Sequence, residues 1–120
     1  QVPGDQGLPG TPLTVTRDSG TGNLTLSWGT SCLPGDTDYE VYQGTMGPMA
    51  GQGFYSHTQK FCTTGGLTTQ TFPDPGGAAY FLVVPRNGAG EGSYGQSSSL
   101  AERPVGTSAC LPQSLAGACP

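Results

Sequence analysis

Few residues in this chain could do chemistry. The single histidine, His57, lies between Tyr55-Ser56 and Thr58. Three acidic side chains alternate at Asp36, Asp38 and Glu40, and Gly90-Glu91-Gly92-Ser93-Tyr94-Gly95 spells G-x-G-x-x-G. Nucleophilic catalysis needs a base beside a Ser or Cys. The polar flanks of His57 predict a surface loop, and no Gly-x-Ser-x-Gly elbow occurs. The chain is therefore read as a non-enzyme. A dinucleotide loop needs a helix whose N-terminus meets the pyrophosphate, whereas Gly95 is followed by Gln96-Ser97-Ser98-Ser99 with no helical period. The glycines thus predict a turn between two strands, and no cofactor is expected. In an extended segment Asp36, Asp38 and Glu40 share one face, which makes them a weak calcium candidate. The simpler reading is a solvated strand face, because Tyr39 and Val41 supply the buried one.

Four cysteines, Cys32, Cys62, Cys110 and Cys119, form no C-x-x-C, and His57 stands five residues before Cys62, a spacing unlike a zinc site. In a small chain almost free of lysine they predict disulfides and an oxidising, extracellular or cell-surface location. Three pairings are open. Asn23-Leu24-Thr25 is a glycosylation sequon at a turn, which makes Asn23 a candidate modification site. Phe54, Tyr55 and Tyr94 are the aromatic candidates for stacking on sugar rings, although Phe54-Tyr55 with Phe61 also fits a further strand.

The elements that must position these residues follow from a chain of 120 residues, enough for one domain with one modest core. It has 21 glycines and 11 prolines but only four basic residues against eight acidic ones, for a net charge of −4. Disorder from weak burial usually accompanies high net charge, so the Gly and Thr content points instead to short strands and many turns. With Arg17, Lys60, Arg86 and Arg103 scattered, there is no cationic stripe, which argues against nucleic acid. No run of about 18 apolar residues is present to span a membrane.

Residues 1–11 are a Gly/Pro-rich arm or linker, with too few Gly triplets for a collagen helix. Then the apolar period is two: Leu13 and Val15, then Leu24, Leu26 and Trp28, then Tyr39 and Val41. Asp18 to Asn23 and Pro34-Gly35-Asp36 punctuate these runs. Tyr80 to Val84 is continuously apolar, as for a central strand buried on both faces. The pattern predicts an all-β antiparallel sandwich over residues 12–104, followed by a tail at 105–120.

These residues resemble a fibronectin type III domain. Pro12-Leu13-Thr14-Val15 matches the family's first strand, Leu24-x-Leu26-x-Trp28 its second with a core tryptophan, and Tyr39-Glu40-Val41 its third. Asn87 to Ser93 matches the end of its sixth. The similarity covers about residues 12–103. Gly35 to Tyr42, Tyr80 to Asn87 and Ala109-Cys110-Leu111-Pro112-Gln113 look like the type III-like domains at the ends of large secreted bacterial proteins. One departure concerns the tyrosine corner, which would fall on Ala79 with Tyr80 one position late. Either the strand bulges near Pro85 or the corner is lost. The family frame implies disulfides Cys32–Cys62 and Cys110–Cys119, the second closing the tail on itself.

The resemblance implies a non-enzymatic extracellular structural or adhesive module, a repeating subunit of a surface assembly or filament. Its partners would be other copies or neighbouring domains. Head-to-tail joining is expected through the arm at residues 1–11, which can cross roughly 35 Å. The alternative is an accessory carbohydrate-binding module of a secreted hydrolase, with polysaccharide as its partner.

Overall fold

The computed structural model describes residues 13–46, 55–96, 99 and 101–115. Six strands form in chain order: β1 (Thr14–Arg17), β2 (Asn23–Ser27), β3 (Asp38–Thr45), β4 (Thr58–Phe61), β5 (Thr69–Pro73) and β6 (Ala79–Arg86). They make two antiparallel three-stranded sheets, ordered β1-β2-β5 and β4-β3-β6. The fold is thus all-β, as the alternation predicts.

β2 shows the cause most directly. Leu24 and Leu26 are buried while Asn23, Thr25 and Ser27 point outward, so one face enters the core and the other carries a row of hydroxyls. On that outer face the Thr25 and Thr71 hydroxyls lie 2.9 Å apart across the β2–β5 pair. The turn before β2 is set by Asp18, whose side chain accepts the Gly20 N–H at 2.8 Å while its carbonyl accepts the Gly22 N–H at 2.7 Å. Gly22 sits at φ 75°, where a side chain would be strained.

Leu24, Leu26, Trp28 and Phe72 of the first sheet pack against Tyr39, Val41 and Val83 of the second. The Trp28 ring meets Tyr39 edge-on at 5.7 Å, and Phe72 contacts Phe81 at 5.3 Å, geometries that aromatic quadrupoles favour. This face-to-face contact makes the two sheets a sandwich.

The second sheet departs from expectation. Its central strand is β3; β6, read as central from its apolar run, lies at the edge. The run is buried because both faces of this sheet are covered. Tyr42, Leu82, Val84 and Tyr94 form a second apolar cluster on the side away from the sandwich core, joined by Tyr80 and Cys110. The chain beyond β6 provides that cover. Thr107 N–H donates to the His57 carbonyl (3.1 Å), Glu91 N–H to the Pro112 carbonyl (2.9 Å) and Ser114 N–H to the Glu91 carbonyl (2.8 Å). These bonds bind the tail across the outer face as a strap.

The strap corrects the expected disulfides. Cys62, just past β4, is bonded to Cys110, with Cα atoms 5.6 Å apart. Neither Cys32–Cys62 nor a self-closed Cys110–Cys119 tail is therefore present. β4 pairs with β3 and delivers Cys62 to the sheet edge over which the strap passes. Cys32 is also disulfide-bonded, and Cys119 lies outside the described residues. The β3–β6 register runs unbroken through Pro85, so the bulge considered there is absent; a register shift occurs instead between Val41 and Tyr42 against β4. The Tyr80 hydroxyl is taken up by the Ser56 N–H and His57.

Candidate functional site

Beneath the strap the sheet face is polar as well as apolar. Glu40, on β3, projects away from Tyr39 and Val41 and is 0 % exposed. Neither of its oxygens has a hydrogen-bond partner of normal geometry. Burial, reinforced by the neighbouring Glu91 carboxyl, pushes its pKa up to about 9, so Glu40 is a neutral acid at pH 7. The solvated strand face expected for Asp36, Asp38 and Glu40 is thereby corrected at Glu40: the strap excludes water from it.

Glu91, beyond β6, is also buried. Its Oε2 accepts the Tyr42 hydroxyl at 2.7 Å and its Oε1 the Tyr94 hydroxyl at 2.6 Å. Tyr42 also accepts the Cys110 backbone N–H at 2.9 Å, which ties the disulfide-bearing strap to the sheet. The two tyrosine rings lie 4.8 Å apart. Burial raises both tyrosine pKa values, so both remain protonated donors.

His57 completes the group. It is 3 % exposed rather than on a surface loop. Its Nε2 lies 2.6 Å from the Pro104 carbonyl, which can only accept, so Nε2 carries the proton. Nδ1 then accepts the Tyr80 hydroxyl at 3.0 Å, and that hydroxyl accepts the Ser56 N–H at 2.8 Å. Burial lowers the His57 pKa, which keeps the ring neutral. Close approach is required where the strap crosses: a Cβ on Gly106 would lie 2.6 Å from the Tyr42 ring.

The remaining candidates separate. Asp38 accepts N–H groups from Tyr39, Thr64 and Gly66 and the Thr63 hydroxyl. Burial opposes its ionisation, but these bonds outweigh it and hold the pKa at about 2. Asp36 takes Ser31 and Asn87. Asp36 and Asp38 thus go to separate partners while Glu40 is buried without one, and among the described residues no group of three His, Cys, Asp or Glu side chains could hold a metal. The G-x-G-x-x-G segment bridges back to the end of β6 through Glu91 opposite Arg86, and no helix follows among the described residues. Asn23 opens β2 opposite Pro73, half-buried. Phe54 lies outside the described residues. Tyr55 meets His57 and Tyr80 edge-on at 5.8 and 6.3 Å. Tyr94, at 2 % exposure, is closed to a sugar ring, which corrects its reading as a stacking residue.

Comparison with protein-family models, with curated proteins and with solved structures found no match.

Sequence reasoning missed Glu91, Tyr42 and His57 as one cluster. A signal was present at Tyr42: an aromatic on the strand face opposite Tyr39 and Val41 asks for cover on that face. What supplies the cover is set by tertiary folding of a tail without period.

Proposed function

We propose that the chain is a non-enzymatic, extracellular structural or adhesive module built on a fibronectin type III-like sandwich, and that it serves as a repeating subunit or spacer of a larger assembly. One observation carries the reading. The groups that could do chemistry, Glu40, Glu91, Tyr42, Tyr94 and His57, are buried under a strap that a disulfide fastens to the sheet. Their hydrogen bonds hold polypeptide together. Supporting it, immunoglobulin-type sandwiches place the first, second and fifth strands on one sheet and the third and sixth on the other; β1, β2, β5 and β3, β6 follow this division, while β4 lies beside β3 rather than with the first sheet. Such a sandwich hosts many functions, so the site and not the fold carries the proposal.

Two measurements test it. Antibody labelling of intact source cells should reach the protein before permeabilisation; labelling only afterwards contradicts the extracellular reading. A glycan array should show no specific retention. Specific binding that Tyr55→Ala abolishes would replace this reading with the carbohydrate-binding one.

A further inference from the structure

β6 closes one edge of the second sheet, and its outward backbone groups can be assigned. The Pro85 carbonyl accepts the Gly92 N–H at 2.8 Å and the Asn87 N–H donates to the Gly90 carbonyl at 3.0 Å, both on the side away from β3. Strand alternation then turns the N–H and C=O groups of Ala79, Phe81 and Val83 outward too. Among the described residues no backbone hydrogen bond reaches those groups. After Gly92 the chain leaves the edge: Ser93 and Tyr94 are drawn onto Glu102, with Ser93 Oγ 2.6 Å from Oε1 and the Tyr94 N–H 2.7 Å from Oε2. The segment that would extend the sheet has been spent on the strap. At the Ala79 end of this edge lies a cleft of about 320 Å3 whose lining mixes Val15, Leu24 and Phe81 with the Arg17–Asp74 ion pair, and Val15 is 50 % exposed in it. The edge has no lysine to repel an incoming strand, and its one proline stands near its end.

We propose that the β6 edge accepts an antiparallel strand from residues 2–10 of a second copy of this chain, an inference that rests on the self-assembling module read above. Pro3 and Pro9 have the same parity. When Val2, Gly4, Gln6, Leu8 and Gly10 turn their backbone to β6, both prolines place their missing N–H on the far side, where an edge strand tolerates them. In an antiparallel pair, opposed residues share a face. The same register therefore sets Val2 and Leu8 on the Phe81 and Val83 side, the face of β6 that packs into the sandwich core, with Leu8 toward the cleft at the Ala79 end. A second copy is the donor because the cleft lies at the Arg17 end of β1, whereas the chain enters β1 at Leu13, the other end. Antiparallel pairing within one copy would demand a reversal inside residues 9–12. Addition of this kind is heterologous and propagates as an open chain of subunits.

Parity supplies the test. Gln6→Pro removes an N–H that the register directs at β6, and Gly7→Pro removes one directed away. Sedimentation of the full chain at high concentration should show concentration-dependent oligomers for the unmodified protein and for Gly7→Pro, with association at least tenfold weaker for Gln6→Pro. If both variants assemble alike, the β6 register is wrong while the module reading stands on another surface. A strictly monomeric unmodified chain overturns both the register and the repeating-subunit reading.

Discussion

At the residue scale the decisive side chain is Glu40. A carboxyl with a folded pKa near 9 and an ordinary value of 4.5 keeps a proton that the unfolded chain releases. Between those values the folded state binds more protons, so this group's contribution to stability declines as pH rises. Glu40→Gln keeps the shape and removes the titration. The variant should melt close to the unmodified protein at pH 4.5 and above it at pH 8, by on the order of 15 °C; a gap that does not grow with pH rules out a buried neutral acid. His57 acts with the opposite sign and at lower pH. Its lowered pKa makes the folded state resist a proton that the unfolded chain takes up below about 6.5, so its contribution declines as pH falls. Comparing Glu40→Gln with the unmodified protein cancels that common term. None of this was legible from Asp38-Tyr39-Glu40-Val41, because alternation says which residues share a face and not whether a distant segment will cover it.

At the element scale the strap decides how the second sheet is used. β2 was readable because Leu24, Leu26 and Trp28 alternate cleanly with polar residues. β5 was not: Thr69–Pro73 offers one buried apolar residue, Phe72, and is held as a strand by its pairing with β2. β6 was legible as a strand but misplaced in the sheet, since its apolar outer face meets Tyr94 and the strap rather than another strand. The strap crosses Tyr42 with no room to spare at Gly106. Gly106→Ala should therefore destabilise the protein by about 1 to 3 kcal/mol through overpacking, and it should expose residues 104–115 to protease before the sandwich unfolds. Unchanged melting and unchanged cleavage would mean that the strap does not sit against the Tyr42 ring.

At the scale of the whole molecule, the sandwich supplies a frame and the chain after β6 turns it into a closed, cross-linked body. The Cys62–Cys110 bond spans 48 residues of sequence, a loop worth about 4 kcal/mol in the chain-entropy account. That is a large share of the stability of a domain this size. Disulfide formation could be read from four cysteines in a lysine-poor chain, but the partners could not, since pairing depends on where the strap runs. The family resemblance suggested neighbours in sequence; burial of the Glu40 and Tyr42 face selects the long-range bond. Disulfide mapping tests that closure most directly. Non-reducing digestion with trypsin and chymotrypsin, followed by mass spectrometry, should recover the Cys62 peptide joined to the Cys110 peptide. Recovery of Cys32 joined to Cys62, or of Cys110 joined to Cys119, would contradict the strap and with it the account of the buried carboxyl pair.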